Sequence, residues 1–270
     1  MTTFEDSAMS GRPYLLAEAT WKDVRDTPYE VAVLPWGATE AHNLHLPYST
    51  DVAETEYLAA EAARRAWEQG AKVVVLPAIP FGVNTGQLDI KLDINMNPST
   101  QFAVLRDVID SLSRAGTPKL LVLNGHGGND FRQMIREIQV DFPAMFLCTT
   151  NWYDVVDLSE HFDEPGDHAG EVETSAMMVI APALVRPLAE AGRGESRPFR
   201  ITALREGWVW AQRDWKKATV DTGVGDPAKA TPEKGRAFLE AVSEKLGRFR
   251  VELAAADIDD LYETEELRRT

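Results

Sequence analysis

Four stretches of the chain are almost wholly apolar and rich in β-branched residues: VAVLPWG (31–37), KVVVLPAI (72–79), KLLVLNG (119–125) and AMFLCTTNW (144–152). Runs without polar alternation read as strands covered on both faces, as in a parallel sheet. Between them, apolar positions recur at helical spacing in residues 50–70, 99–116 and 129–142. The first two of these segments end on Gly70 and Gly116, the residue that a left-handed helix terminus prefers. The alternation predicts βαβ units, hence an α/β fold with a mostly parallel central sheet and helices on both sides. Further on, EVETSAMMVIAPALV (171–185) predicts a helix, and Thr231, Pro232 and Glu233 predict the cap and first turn of another reaching Leu253. Residues 185–230 are less regular and hold Trp208, Trp210 and Trp215, expected in the core or at a subunit contact. No repeat, low-complexity tract or linker interrupts the pattern, so one domain is expected over residues 1–270.

Composition narrows the choice of partners. The formal charge of -15 repels a phosphate backbone, which argues against nucleic acid. No window approaches the roughly 18 apolar residues of a membrane span, and the acidic start MTTFEDSAMS lacks the basic region of a signal peptide. A cytoplasmic protein that binds no membrane is expected. Cys148 is the single cysteine, so any metal must be held by nitrogen and oxygen ligands.

The chemistry-bearing residues fall where the predicted strands end. WGATEAHNLHLPYSTD (36–51) places Glu40, His42, His45 and Asp51 after the first strand, and NGHGGN (124–129) places His126 after the third. Ligands gather at the carboxyl ends of strands in open α/β sheets. In DHAGEVETS (167–175), helical phase puts Glu173 on the stripe of Ala176, Met177, Ile180 and Leu184, so it points inward. A buried carboxylate is costly unless it is paired or binds a metal, and no basic residue lies near it in sequence. Glu40, His42, Asp51, His126 and Glu173 together suit Zn²⁺, Mn²⁺ or Fe²⁺, and five ligands exceed what one catalytic ion needs. Two divalent ions sharing Asp51 are expected. His45 is expected to support a ligand from behind, His161 to lie at the surface, and Asp93 to sit in a strand or turn. GHGGND does not fit a dinucleotide fingerprint, because Asp130 stands at its last glycine position.

WGATEAHNLHLPYSTD, NGHGGN and HAGEVETS, with VVVLPAIPFGVN and GDPAKATPEKG between and after them, resemble the creatininase (creatinine amidohydrolase) family. The resemblance implies a three-layer αβα fold, a metal-dependent hydrolase acting on a small molecule, and a homo-oligomer, often a hexamer. It implies metal ligands at Glu40, His42, bridging Asp51, His126 and Glu173, and a catalytic or substrate-contacting role for His168 with Glu171 beside it. Gly128 stands where the creatinine-opening enzyme has a glutamate, so the second metal is expected to rely on Glu173 instead. Two departures bear on the substrate: Asn43 stands where many members have a glycine, and NTGQLDIKLDINMNP (84–98) replaces the usual histidine-containing wall. Asn43, Asn84 and Gln87 are the expected substrate contacts. The expected reaction is hydrolysis of a cyclic or non-peptide amide C–N bond, with opening of a cyclic polyol ketone, an oxidised inositol, by C–C cleavage as the alternative. A noncatalytic scaffold is disfavoured because all five ligands are present.

Overall fold

The computed structural model describes residues 11–263. The acidic start and the end of the charged C-terminal tail lie outside the described residues. Strands β1 (Val31–Trp36), β2 (Val73–Val75), β3 (Lys119–Asn124) and β4 (Phe146–Asn151) form a parallel sheet in the order β2-β1-β3-β4. The register sets Trp36 opposite Asn124 and Asn124 opposite Asn151, so three strands end level with one another. The helices are α1 (Trp21–Asp26), α2 (Thr50–Glu68), α3 (Pro98–Ala115), α4 (Arg132–Ile138), α5 (Glu171–Ile180), α6 (Thr202–Arg205), α7 (Trp215–Ala218) and α8 (Pro232–Ala255).

Alternate strand residues serve opposite faces, as strand geometry requires. Val31, Val33, Val73, Val75, Leu121 and Leu123 pack with Leu58 and Ala62 of α2 and Phe238 and Val242 of α8. Ala32, Leu34, Trp36, Val74, Leu120 and Val122 pack with Leu105 and Ile109 of α3 and Met134 and Ile138 of α4. The result is three layers with neither sheet face in water, which is why the strands carry no polar alternation.

Several boundaries differ from the expected ones. The second strand forms only over Val73–Val75; Leu76 still donates to the Val33 carbonyl at 2.9 Å, but Pro77 has no N–H to continue the ladder. The helix expected over 129–142 shortens to Arg132–Ile138, and the one expected over 171–185 stops at Ile180, where Pro182 begins a 3₁₀ turn. The Thr231 cap is present, its hydroxyl accepting from the Lys234 N–H at 3.2 Å. Among the described residues, no single helix is long and apolar enough to cross a membrane.

The chain leaves β1 in one direction, through α2 to β2, and then returns past β1 through α3 to β3. Right-handed crossovers running in opposite directions put their helices on opposite faces. The loops after β1 and β3 therefore part, leaving the crevice in which such sheets bind ligands.

Lys119, at the start of β3, ties the sheet to the last turn of α8. Its ammonium donates to the carbonyls of Leu253 and Ala254 at 2.8 Å and of Ala256 at 2.6 Å, satisfying groups that a helix end leaves open. Replacing it with an apolar side chain strands three acceptors. K119M is expected to lose about 2–3 kcal/mol in urea unfolding, and an unchanged midpoint would show that the tie contributes nothing.

Candidate metal centre

Glu40 and His42 lie just beyond β1, Asp51 is in the first turn of α2, His126 follows β3, and His168 and Glu173 flank the start of α5. These six side chains, remote in sequence, meet at one point, five of them buried and Glu173 half-buried. Gly37 makes part of the approach possible: a Cβ there would stand 2.8 Å from the Val52 nitrogen and 2.9 Å from the Asp51 carbonyl carbon, so only glycine lets the exit of β1 lie against α2. The ligand atoms of Glu40, Asp51 and His126 lie within 4.8 Å of one another, as do those of His42, Asp51 and Glu173 and those of Glu40, His42 and His168. Asp51 is common to the first two groups. One of its oxygens lies 2.7 Å from His42 Nε2 and the other 3.1 Å from His126 Nδ1, which also stands 2.7 Å from Glu40 Oε1.

The histidine orientations show what the cluster is built to hold. His42 Nδ1 faces the Glu40 carbonyl at 3.0 Å, His126 Nε2 the Val83 carbonyl at 3.1 Å, and His168 Nε2 the Ala41 carbonyl at 2.9 Å. A carbonyl can only accept, so each of these nitrogens carries the ring hydrogen. In the neutral ring the opposite nitrogen then presents a lone pair, and in all three cases it is aimed at carboxylate oxygens. Lone pairs facing lone pairs in a buried site repel unless a cation or a proton lies between them. The donor set therefore fits divalent ions, with Asp51 placed to serve both of two neighbouring positions.

Protons are the metal-free substitute. Burial alone would push His42 down, but Asp51, Glu173 and Glu40 raise it to about 10. His126 is likewise raised well above its ordinary value, against burial, by Glu40 and Asp51. Burial would raise Asp51 and Glu40, but the neighbouring imidazolium charges hold both below their ordinary values. Glu173 goes up, chiefly through burial.

The expected substrate contacts divide. Gln87 donates its amide N–H to Glu40, and its Oε1 is left without a donor; Asn84 likewise keeps a buried Oδ1 without a partner. Both line a cavity of about 1000 Å³ that opens onto Glu40, Asp51, His126, His168 and Glu173. Asn43 does not line it. It has φ of 53°, and its side chain exchanges two hydrogen bonds of 2.9 Å with the backbone of Gly192. Glu171 also faces away: it accepts from the Glu164 N–H at 2.7 Å and pairs with Lys234, so it does not orient His168. The Ala41 carbonyl does that instead. His45 bonds Thr174 at 2.8 Å and touches no carboxylate of the cluster. Of the tryptophans, Trp215 is buried with its ring 5.3 Å from that of His168, while Trp208 and Trp210 are exposed and Trp210 stands at the cavity mouth.

Two acidic residues join the site that the sequence reading did not assign to it. Asp93 accepts from the Ala41 N–H at 2.8 Å, so the Glu40–Ala41 peptide, whose carbonyl orients His42, is itself gripped from behind. Glu54, fully buried, lies one turn beyond Asp51, and neither of its oxygens has a hydrogen-bond partner. Its signal was the one used for Glu173: it falls on the buried stripe of α2 with Asp51, Thr55, Leu58 and Ala62.

The family model for creatininases, creatinine amidohydrolase, matches residues 17–249. The chain belongs to the creatininase family. Its members are metal-dependent hydrolases, and the three-layer fold and buried His/carboxylate cluster agree with that. A crystal structure of a Bacteroides fragilis NCTC 9343 protein, assigned provisionally as a creatinine amidohydrolase, superposes with a TM-score of 0.88 at 45% identity over 94% of this chain and 100% of that one. A mutant creatininase of the Zn-Zn type superposes at TM-score 0.73 with 20% identity, covering 91% of this chain and 100% of that one, a likeness of fold. In sequence, the mycofactocin precursor peptide peptidase of Mycobacterium tuberculosis (strain CDC 1551 / Oshkosh) is 26% identical over 86% of this chain and 89% of its own length. At Gly128, a Cβ would stand 2.3 Å from the Val83 carbonyl oxygen and 2.4 Å from His126 Nε2, so this backbone excludes a glutamate there.

Metal uptake by the creatininase centre should expel protons from His42 and His126, because both are held protonated well above neutrality and only the free imidazole can ligate. At pH 7.5, calorimetric titration with Zn²⁺ in two buffers of different ionisation enthalpy should show release of about two protons at saturation. The sign follows from the raised values. In the metal-free protein the His42 pairing stabilises fully below about 6.5, the ordinary imidazole value, and is lost as pH rises through about 10. Metal affinity moves the opposite way, weakening as pH falls. Buffer-independent heats would contradict this assignment.

Proposed function

We propose that this creatininase-family protein hydrolyses an amide C–N bond, cyclic or otherwise non-peptide, in a polar substrate bound in the 1000 Å³ cavity. The observation that carries the reading is the set of three imidazole lone pairs aimed at buried carboxylates on the cavity floor. Glu40, Asp51 and His126 would hold one divalent ion, and His42, Asp51 and Glu173 a second. When bound, such ions polarise a carbonyl and make water nucleophilic near neutral pH.

The chain's own side chains supply the rest. His168 is pinned through Nε2 to the Ala41 carbonyl, so its Nδ1 faces the cluster, 3.8 Å from Glu40 Oε1. It is placed to take a proton from the attacking water and return it to the leaving nitrogen, work for which an imidazole is suited. Gln87 Oε1 and Asn84 Oδ1 offer acceptors to substrate N–H groups, and the edge of Trp215 against His168 excludes water from that side. The cavity is at the upper end of the size range for small-molecule sites, so the substrate is expected to exceed a single five-membered ring. The peptidase relative acts on a precursor peptide, which supports amide hydrolysis as the reaction.

Purified protein should carry two equivalents of Zn or Mn by elemental analysis. Chelation should abolish hydrolysis in a panel of lactams, formamides, short peptides and keto-inositols. Asp51→Asn should reduce turnover by more than about 100-fold, beyond what loss of an outer-sphere partner costs. Turnover of the ketone alone or of the peptides alone, or full activity without metal, would overturn the proposal.

A further inference from the structure

Outside the His/carboxylate cluster, the charged side chains that line the cavity are Asp130, Asp154, Asp167 and Arg213, and Arg213 is the one Lys or Arg among the described lining residues. The two ends of the sheet supply opposite signs. Asp130 and Asp154 follow β3 and β4, and each has local work: Asp130 accepts from the Arg132 N–H at 3.1 Å and Asp154 from the Asn151 amide at 2.8 Å. Arg213 belongs to a strap, residues 212–215, tied to the loop beyond β2 that carries Asn84 and Gln87. In that tie the Trp215 N–H donates to the Gly86 carbonyl at 2.9 Å and the Thr85 hydroxyl to Gln212 Oε1 at 3.1 Å. A Cβ on Gly86 would stand 2.4 Å from the Arg213 carbonyl oxygen, so the strap lies directly on the loop.

The guanidinium is held more firmly than that of a free surface arginine. Its central carbon lies over the Trp215 ring, 4.5 Å from the centroid. Trp215 is itself buried, its indole N–H donating to the Thr222 carbonyl at 3.0 Å and its ring 5.3 Å from that of His168. Stacking on a fixed ring sets the plane of the fork, so less freedom is lost when it binds. Nη1 donates to Asp167 Oδ2 at 2.6 Å, whereas Nε and Nη2 make no hydrogen bond among the described residues. Those two nitrogens present N–H groups side by side, the geometry that a carboxylate accepts. The Asp167 pair is a weak competitor, because its side chains are 42% and 56% exposed and pairs in water contribute little.

We infer that Arg213 is the specificity residue of the cavity and that the substrate is an amide acid: its scissile C–N bond lies at the His/carboxylate cluster, and a carboxylate elsewhere in the same molecule docks on Nε and Nη2 of Arg213. The inference rests on the amide reading above and adds the sign and the place of the substrate's charge. It also gives substrate and proton carrier a common support, since the ring under the guanidinium is the ring beside His168.

The test uses the metal-loaded full chain and three matched amides with one scissile bond and one short tail, ended by a carboxylate, a primary carboxamide or an ammonium. N-formyl-β-alanine, its carboxamide and N-formylethylenediamine are one such set, and lactams bearing the same three tails are another. The kcat/KM for the carboxylate should exceed that for the carboxamide by about 10-fold or more, as expected of hydrogen bonds between charged groups, and the ammonium should be poorest. R213Q should bring the carboxylate-to-carboxamide ratio close to unity, and R213K, which keeps the charge without the fork, should fall between. D167N should raise the ratio by about two- to fivefold, because the competing carboxylate is gone; general damage to the site would not do that. Each ratio is taken within one protein, so any loss of folded fraction cancels. The inference is overturned if the parent shows no preference among the tails, if it prefers the ammonium so that Asp130 and Asp154 decide, or if R213Q keeps the parent ratio. Failure of all three tails in both sets would instead remove the amide reading, and with it the substrate for Arg213 to recognise.

Discussion

The structure is organised around a repulsion. Glu40, Asp51 and Glu173 are brought together at the cavity floor with the lone-pair sides of His42, His126 and His168. Such a cluster is unfavourable on its own, since each carboxylate loses its hydration and meets acceptors in return. It persists because the sheet and its two covering layers fix the backbone from which every member projects, and because protons or cations neutralise it. The raised His42 and His126 and the lowered Asp51 express that constraint, as does the fit to divalent metal.

The backbone carries part of the cost. The four non-glycine residues with positive φ among the described residues are Asn43, Leu92, Ala169 and Thr222. Each is next to, or bonded to, a component of the centre. Asn43 follows His42 and donates its N–H to the Thr222 hydroxyl at 2.9 Å; Leu92 precedes Asp93, which grips the Ala41 peptide; Ala169 follows His168 and donates to Glu173. Strain of this kind costs about 1–3 kcal/mol per residue and persists only where the surroundings over-determine it. Here it turns peptide groups toward the cluster, so that carbonyls orient the rings and N–H groups hold the acids. Asn43 belongs to this scaffolding, which explains why it serves the site without facing the cavity.

Much of this was legible in the sequence, for a physical reason. Strands buried on both faces leave unmistakable apolar runs, and strand-end loops carrying paired His and acidic residues mark the crevice, so the sheet, its layers and the convergence of Glu40, His42, Asp51, His126 and Glu173 followed from pattern. Less legible were roles decided by side-chain direction. Glu171 and Glu173 are two residues apart on one helix, and only the position of Lys234, 63 residues later, shows that Glu171 is satisfied elsewhere. Asp93 was readable only as a turn residue, because its partner is a backbone N–H 52 positions earlier, and no side-chain pattern announces such a bond. Strand and helix ends moved where prolines removed a donor, a local effect that apolar runs of similar length conceal.

The two halves of the centre are supported differently, and that asymmetry follows from topology. His126 and Glu40 leave adjacent strands whose ends are in register, Trp36 beside Asn124, and the Asn124 side chain locks the turn by donating to the His126 carbonyl at 2.9 Å while its oxygen accepts from the His126 N–H at 3.2 Å. That half is welded to the sheet. Glu173 and His168 come from the start of α5, which packs chiefly on α2 and α8, and their loop is pinned to residue 224 by an isolated bridge between His168 and Val224. Gly128 is packed so tightly that no acidic side chain fits after His126, and the carboxylate that joins His42 and Asp51 comes from this side, as Glu173.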